Sequence, residues 1–182
     1  MPEGRNYMKQ SKRIAFCGMM SALTVVIMLV SYFPYLTFAV PAVAGLTSCI
    51  ILIELNSKWS WGSFVSAALL SILLCEKESA TLFLCFFGFY PILKSYLEKI
   101  KLRAVEYILK FGLFTACVCC AYFVIIKVFG IPMEGMGDFG KYTPIILLAL
   151  GEVMFFFYDI AITRVVYLYM VKFHDRVQKM LK

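Results

Sequence analysis

Glu152 and Asp159 interrupt a long apolar run over residues 144–171, and Arg164 lies further along it. An ionised side chain deep in an apolar helix costs ~2.5–3.5 kcal/mol on insertion scales, so such a group needs a partner and marks a candidate functional position. The two acids are seven residues apart, which is two helical turns and places both on one face. Counted from Pro144, Glu152 lies ~12 Å and Asp159 ~22 Å along a helix. Counted from Ser79 in another apolar run, Lys94 also lies ~22 Å deep. An intramembrane Lys94–Asp159 ion pair is therefore predicted, and Lys127 is placed to reach toward Glu152. The plainer use of such pairs is to lock helices together. For Glu152 the alternative is a pocket open to the outside. A proton relay is the sharper reading, but two carboxylates ~10 Å apart along one helix support it weakly.

Small residues form a second pattern. Ala15, Gly18, Ser21 and Ala22 follow directly on Lys12 and Arg13, and the Gly18-x-x-x-Ala22 step allows another helix to approach closely. On spacing alone, packing inside the same bundle explains this face better than docking of a separate partner does. Aromatic residues form a third group: Tyr32, Phe33, Tyr35, Phe38, Tyr122, Phe123, Phe139 and Tyr142. They fit an interfacial belt, which any membrane protein carries, better than a stacking site for a flat ligand.

Enzymatic constellations are missing their parts. There is no H-E-x-x-H pair, no Gly-rich nucleotide loop ending in Lys-Ser or Lys-Thr, and no Gly-x-Ser-x-Gly elbow. The single histidine, His174, lies in a basic tail, which removes most Ser/His and Cys/His designs. The seven cysteines, an odd number, all fall within or at the ends of apolar runs. They read as small apolar side chains rather than as disulfides or metal ligands. The chain is expected to be no enzyme, to hold no metal or other cofactor, and to hydrolyse no ATP.

The elements that position these residues follow from composition. Hydrophobic residues make up 62% of the 182 positions, against ~45–50% in ordinary globular domains, and a soluble monomer could not hide such a surplus. About 20 helical residues cross ~30 Å of hydrocarbon. Six spans are predicted, approximately 14–32, 37–55, 59–75, 79–97, 105–129 and 144–171, in one membrane domain occupying 1–182. Pro41 and Gly45 loosen the start of the second, Trp59 and Trp61 are expected at headgroup level in the third, and Gly88 and Pro91 suggest a kink in the fourth. The Gly-rich stretch 130–142 reads as an irregular cap. The first apolar run is longer than the ~7–15 residues of a signal-peptide core and reads as a retained span.

The net charge of +7 would suggest nucleic acid in a soluble domain. Here the basic residues cluster between apolar runs, at 5–13, 58, 94–103 and 172–182. Six crossings put all four groups on one face, as the positive-inside rule requires, whereas five would set the basic N-terminus opposite the others. The fold class is an all-α polytopic bundle of the cell membrane with both termini cytoplasmic.

The run Lys12-Arg13-Ile14-Ala15-Phe16-Cys17-Gly18-Met19-Met20-Ser21-Ala22-Leu23 resembles the start of substrate-binding (S) components of energy-coupling factor transporters. Those proteins share this size and a six-span, cytoplasmic-ended architecture. The family prefers Ala-x-x-x-Ala where this chain has Gly18-x-x-x-Ala22. The resemblance implies capture of a vitamin or similar micronutrient in a pocket at the outer half, roofed by the first outer loop and the 130–142 loop. Glu152, Tyr122, Lys127 and Tyr142 would be wall residues. It further implies that the face of Ala15, Gly18, Ser21 and Ala22 docks on a transmembrane coupling subunit driven by two cytoplasmic ATPases. Two other readings stand beside it: a proton-coupled secondary transporter using Glu152 or Asp159, and a membrane adaptor that transports nothing.

Overall fold

The computed structural model describes residues 10–33, 35–98, 103–127 and 143–181. Its regular elements are all helical: α1 (Gln10–Leu29), α2 (Ala39–Glu54), α3 (Ser57–Leu74), α4 (Lys77–Leu82), α5 (Tyr90–Leu97), α6 (Arg103–Lys127), α7 (Thr143–Lys172) and α8 (His174–Leu181). A 3₁₀ turn, Val30–Tyr32, extends α1, and a π-helical turn, Phe83–Phe87, joins α4 to α5. Among the described residues, three segments, Gln10–Tyr32, Lys77–Leu97 and Leu148–Lys172, are long and apolar enough to cross a membrane by length and composition. α2 is apolar but shorter; its 16 residues rise about 24 Å. The loop predicted over 130–142 lies outside the described residues.

Local chemistry sets the boundaries. Pro41 falls in the first turn of α2, where a missing N–H costs nothing because that turn has no carbonyl to bond. The Asn56 carboxamide accepts from Ser57 N–H at 2.8 Å and starts α3 directly after α2 has ended. The break in the fourth predicted span is a π turn rather than a simple proline kink. Gly88 N–H donates to Phe83 C=O at 2.8 Å, an i+5 bond, and Pro91 then lies at the start of α5, where it is tolerated.

Helix directions follow from the polar contacts. Ser21 Oγ lies 2.5 Å from Ser63 Oγ and Tyr32 OH donates to Leu74 C=O at 3.0 Å, so α1 and α3 run parallel. Between them α2 runs the other way, tied by Thr24–Thr47 at 2.6 Å and by Ser60 donating to Ser48 C=O at 2.9 Å. Tyr158 OH donates to Ala42 C=O, and Tyr169 OH to Glu54, so α7 runs with α2. The start of α1 and the end of α7 therefore share one end of the bundle. There α8 lies across the helix ends: Val177 packs on the cluster of Phe16, Cys17, Met20 and Ile51, and His174 Nδ1 lies 2.9 Å from the buried Glu54 carboxylate.

The interior has two halves. One, between α1, α2 and α3, is stitched by serine and threonine hydroxyls. The other, between α2, α5, α6 and α7, is aromatic, with Phe86, Tyr90, Phe114 and Phe155 buried together and Tyr158 packed against them. Trp61, expected at the headgroups, is half-buried and sets its ring against Phe64 and Phe89 at centroid distances of 5.8 and 6.3 Å.

Candidate functional site

The inward face of α7 presents Glu152, Phe155, Asp159 and Ile162 at successive turns. Asp159 is the hub of a charge cluster built from three helices. Lys94 Nζ of α5 pairs with Asp159 Oδ1 and also donates to the Asp159 carbonyl at 2.8 Å and to Glu98 Oε1 at 3.1 Å. Lys110 Nζ of α6 lies 3.1 Å from Asp159 Oδ2, 2.7 Å from Glu106 Oε1 and 3.8 Å from Glu98 Oε1. Tyr90 OH donates to Asp159 Oδ1 at 2.6 Å. Lys94, Lys110 and Asp159 are only 4%, 3% and 9% exposed.

Each ammonium has three protons and three acceptors around it, and both oxygens of Asp159 are engaged. Such a cluster is closed: it holds α5, α6 and α7 in register and leaves no buried charge without a counter-charge. Lys110, Tyr90, Glu98 and Glu106 were absent from the sequence-based site. The signal for Lys110 was its position four residues after Glu106 inside an apolar helix, the spacing of a facing pair.

Glu152 stands about 10 Å from Asp159 along α7. It is half-buried, and Thr115 Oγ1 donates to its Oε1 at 3.1 Å. Between the two acids lies a stack of rings. Phe155 stacks on Phe114 at 4.8 Å and meets Phe86 and Tyr90 edge-on at 5.5 and 5.1 Å. No hydroxyl or carboxylate among the described residues links Glu152 to the cluster.

Tyr122 and Lys127 lie on α6, but their side chains, like the whole of Tyr142, are outside the described residues. The predicted Lys127–Glu152 pair therefore lies outside the described residues, and Glu152 has no cationic partner among the described residues.

The small-residue face of α1 divides. Ser21 is buried and bonds to Ser63 across the α1–α3 interface, so it faces inward. Ala15, Gly18 and Ala22 face outward and exposed. A Cβ added at Gly18 would meet nothing within 4 Å. Three of the four residues therefore form an open strip near the α8 end, and packing within the bundle accounts only for Ser21.

Two hollows stand out among the described residues. One, of about 140 Å³, is lined by Cys49 and Leu52 of α2, by Pro91, Lys94 and Glu98 along and just after α5, and by Ile162 of α7. That is below the ~300–1,000 Å³ of small-molecule pockets. The second, an open groove of about 420 Å³, lies at the opposite end of the bundle among Tyr32, Leu73, Cys75, Glu76 and Lys77. Its walls come from the 3₁₀ turn after α1, the end of α3 and the start of α4, where the fourth predicted span begins. The aromatics Tyr32, Phe33, Tyr35 and Phe38 cluster near it, all exposed. The seven cysteines are unpaired, and no group of metal-ligating side chains occurs among the described residues. No protein-family model, no curated protein and no solved structure matches the chain.

Proposed function

We propose that the chain crosses the cell membrane six times with both termini cytoplasmic and serves as the substrate-capture subunit of an energy-coupling-factor-type importer for a vitamin or similar micronutrient. The observation that carries this reading is the outward strip of Ala15, Gly18 and Ala22 beside the basic start of α1. A helix in lipid gains nothing from exposed glycine and alanine unless another helix packs there, since close backbone approach is what small residues supply. The partner in this reading is a transmembrane coupling subunit carrying two cytoplasmic ATPases; this chain supplies no catalytic group of its own. The common end of α1, α7 and α8 supports the threading.

Gly18→Leu tests the proposal. The added side chain enters open space, so thermal stability in detergent should stay within the small range of a surface substitution. The complex with the coupling subunit should fall at least tenfold in pull-down yield. Unchanged complex formation by Gly18→Leu would remove the basis of the reading.

Glu152 is the candidate ligand contact on α7. Gln at 152 keeps the Thr115 hydrogen bond and removes the charge. Ligand recovered with the purified variant is expected to drop at least tenfold without loss of stability, as quantitative mass spectrometry would read. The rival proton-coupled transporter is less well supported, because the rings of Phe155, Phe114 and Phe86 separate Glu152 from the Asp159 cluster. Uptake by proteoliposomes free of any ATPase, and abolished by Glu152→Gln, would establish that rival instead.

A further inference from the structure

Two buried polar atoms of opposite sign are left unmet at the end of the bundle that α8 covers. Glu54 closes α2 with its side chain wholly buried. Its Oε1 takes the Tyr169 hydroxyl at 2.8 Å and His174 Nδ1 at 2.9 Å, while Oε2 has no hydrogen-bond partner. Arg13 Nε on α1 is also buried and without one. Helix register places the two side chains within reach of each other. Thr24 bonds to Thr47 across the antiparallel α1–α2 pair, so Glu54, seven residues on, lies level with Cys17, seven residues back. Arg13 stands one turn beyond Cys17 on the same face, about 6 Å along the helix, which an arginine side chain spans.

The helix lying over them is lightly held. α8 follows α7 across a turn at Phe173, and its Arg176, Gln178 and Lys179 are exposed. Val177 is only half-buried against Phe16, Cys17, Met20 and Ile51. Among the described residues, one ion pair, His174–Glu54, ties α8 to the other helices. Histidine is the side chain whose charge changes near neutral pH. Protonated, the imidazole offsets a carboxylate that is costly to bury alone. Neutral, it still donates one hydrogen bond but offsets no charge. The ionisable groups at this seat are Glu54 of α2, Tyr169 of α7 and Arg13 of α1, whose guanidinium is always charged. Lys12 of α1 and Lys58 of α3 are exposed.

We propose that α8 is a pH-gated strap: protonated His174 holds it closed on Glu54, and loss of that proton lets α8 lift while Glu54 exchanges its partner for Arg13. Opening bares Phe16, Cys17 and Met20. Phe16 and Cys17 sit between Ala15 and Gly18 in α1, so the outward strip there widens when the strap lifts. The inference does not rest on the capture reading.

Cys17, buried beside Val177, reports the state of the strap. The full-length chain in detergent is labelled with a maleimide at about pH 6 and about pH 8, on either side of histidine's ordinary titration. The rate at Cys17, read by peptide mass spectrometry, is divided by the rate in the denatured chain at the same pH. That ratio removes the pH dependence of the thiol's own reactivity. In the wild-type chain it should be at least fivefold higher at the upper pH. His174→Gln should label fast at both values. Arg13→Gln should label more slowly than wild type at the upper pH, because the open form loses its replacement partner. The two substitutions thus move the rate in opposite directions, which a merely structural role for either would not produce. A wild-type ratio indifferent to pH, Cys17 still protected in His174→Gln, or labelling in Arg13→Gln no slower than wild type would each overturn the inference. The wild-type comparison decides the matter even where a variant fails to fold.

Discussion

Asp159→Asn is expected to destabilise the bundle by about 3–5 kcal/mol, the range seen when one partner of a buried ion pair is removed. The reason is the asymmetry of the cluster. Asp159 and Glu98 both contact Lys94 and Lys110, but Asp159 is the buried one and lies nearer to each ammonium, while Glu98 is exposed and Glu106 meets Lys110 alone. Neutralising it leaves two buried ammonium groups facing each other's charge with one counter-ion fewer. Lys94→Met should cost less, because Asp159 keeps Lys110 and the Tyr90 hydroxyl. The double variant Lys94→Met/Asp159→Asn should cost less than the sum of its parts, since each change removes the penalty the other leaves. Denaturant unfolding of the purified proteins in detergent reads all three. Equal, additive and small losses would mean that the cluster is solvated and holds nothing together.

Gly45→Ala is the second large effect, at about 1–3 kcal/mol for overpacking. A Cβ at Gly45 would lie 2.3 Å from the Phe87 carbonyl oxygen and 3.1 Å from its carbon, with Tyr158 OH at 3.0 Å. The obstacle is backbone, so relief requires moving the π turn itself. That turn adds one residue to the helix, which rotates everything after it by about 100°. Tyr90 and Lys94 owe their aim at Asp159 to that rotation. The substitution should therefore loosen the charge cluster as well as lower stability, visible as faster hydrogen exchange at the start of α5. Gly18→Ala is the control: it enters empty space and should be neutral or slightly stabilising through helix propensity.

How much of this was legible in the sequence differs element by element. Helix positions followed from apolar run length, because hydrophobic surplus leaves a chain few choices other than helices in lipid. Lys94 and Asp159 could be paired from depth alone, since helical rise is constant and both were counted from the same surface. Lys110 was not legible as a partner of Asp159, because its spacing from Glu106 marks a pair within α6 and says nothing of which helix α6 packs against. The π turn escaped for a different reason: Gly88 and Pro91 signal a break, but the extra residue that re-aims the helix lies in Phe83–Phe87, where nothing in residue type marks it. Ser21 was grouped with Ala15, Gly18 and Ala22 by size. Its hydroxyl has a partner in Ser63, and hydrogen bonding across α1–α3 outweighs smallness in deciding which way it faces. The last helix, α8, was visible only as a basic tail, because Val177 acquires its neighbours solely from tertiary packing.

Native mass spectrometry of the wild-type chain taken from its own membrane tests the capture proposal most directly. The expected spectrum shows one small molecule of fixed mass per chain, together with a larger complex containing a membrane coupling subunit. A spectrum of the bare chain alone, with no bound molecule and no companion subunit, would contradict it.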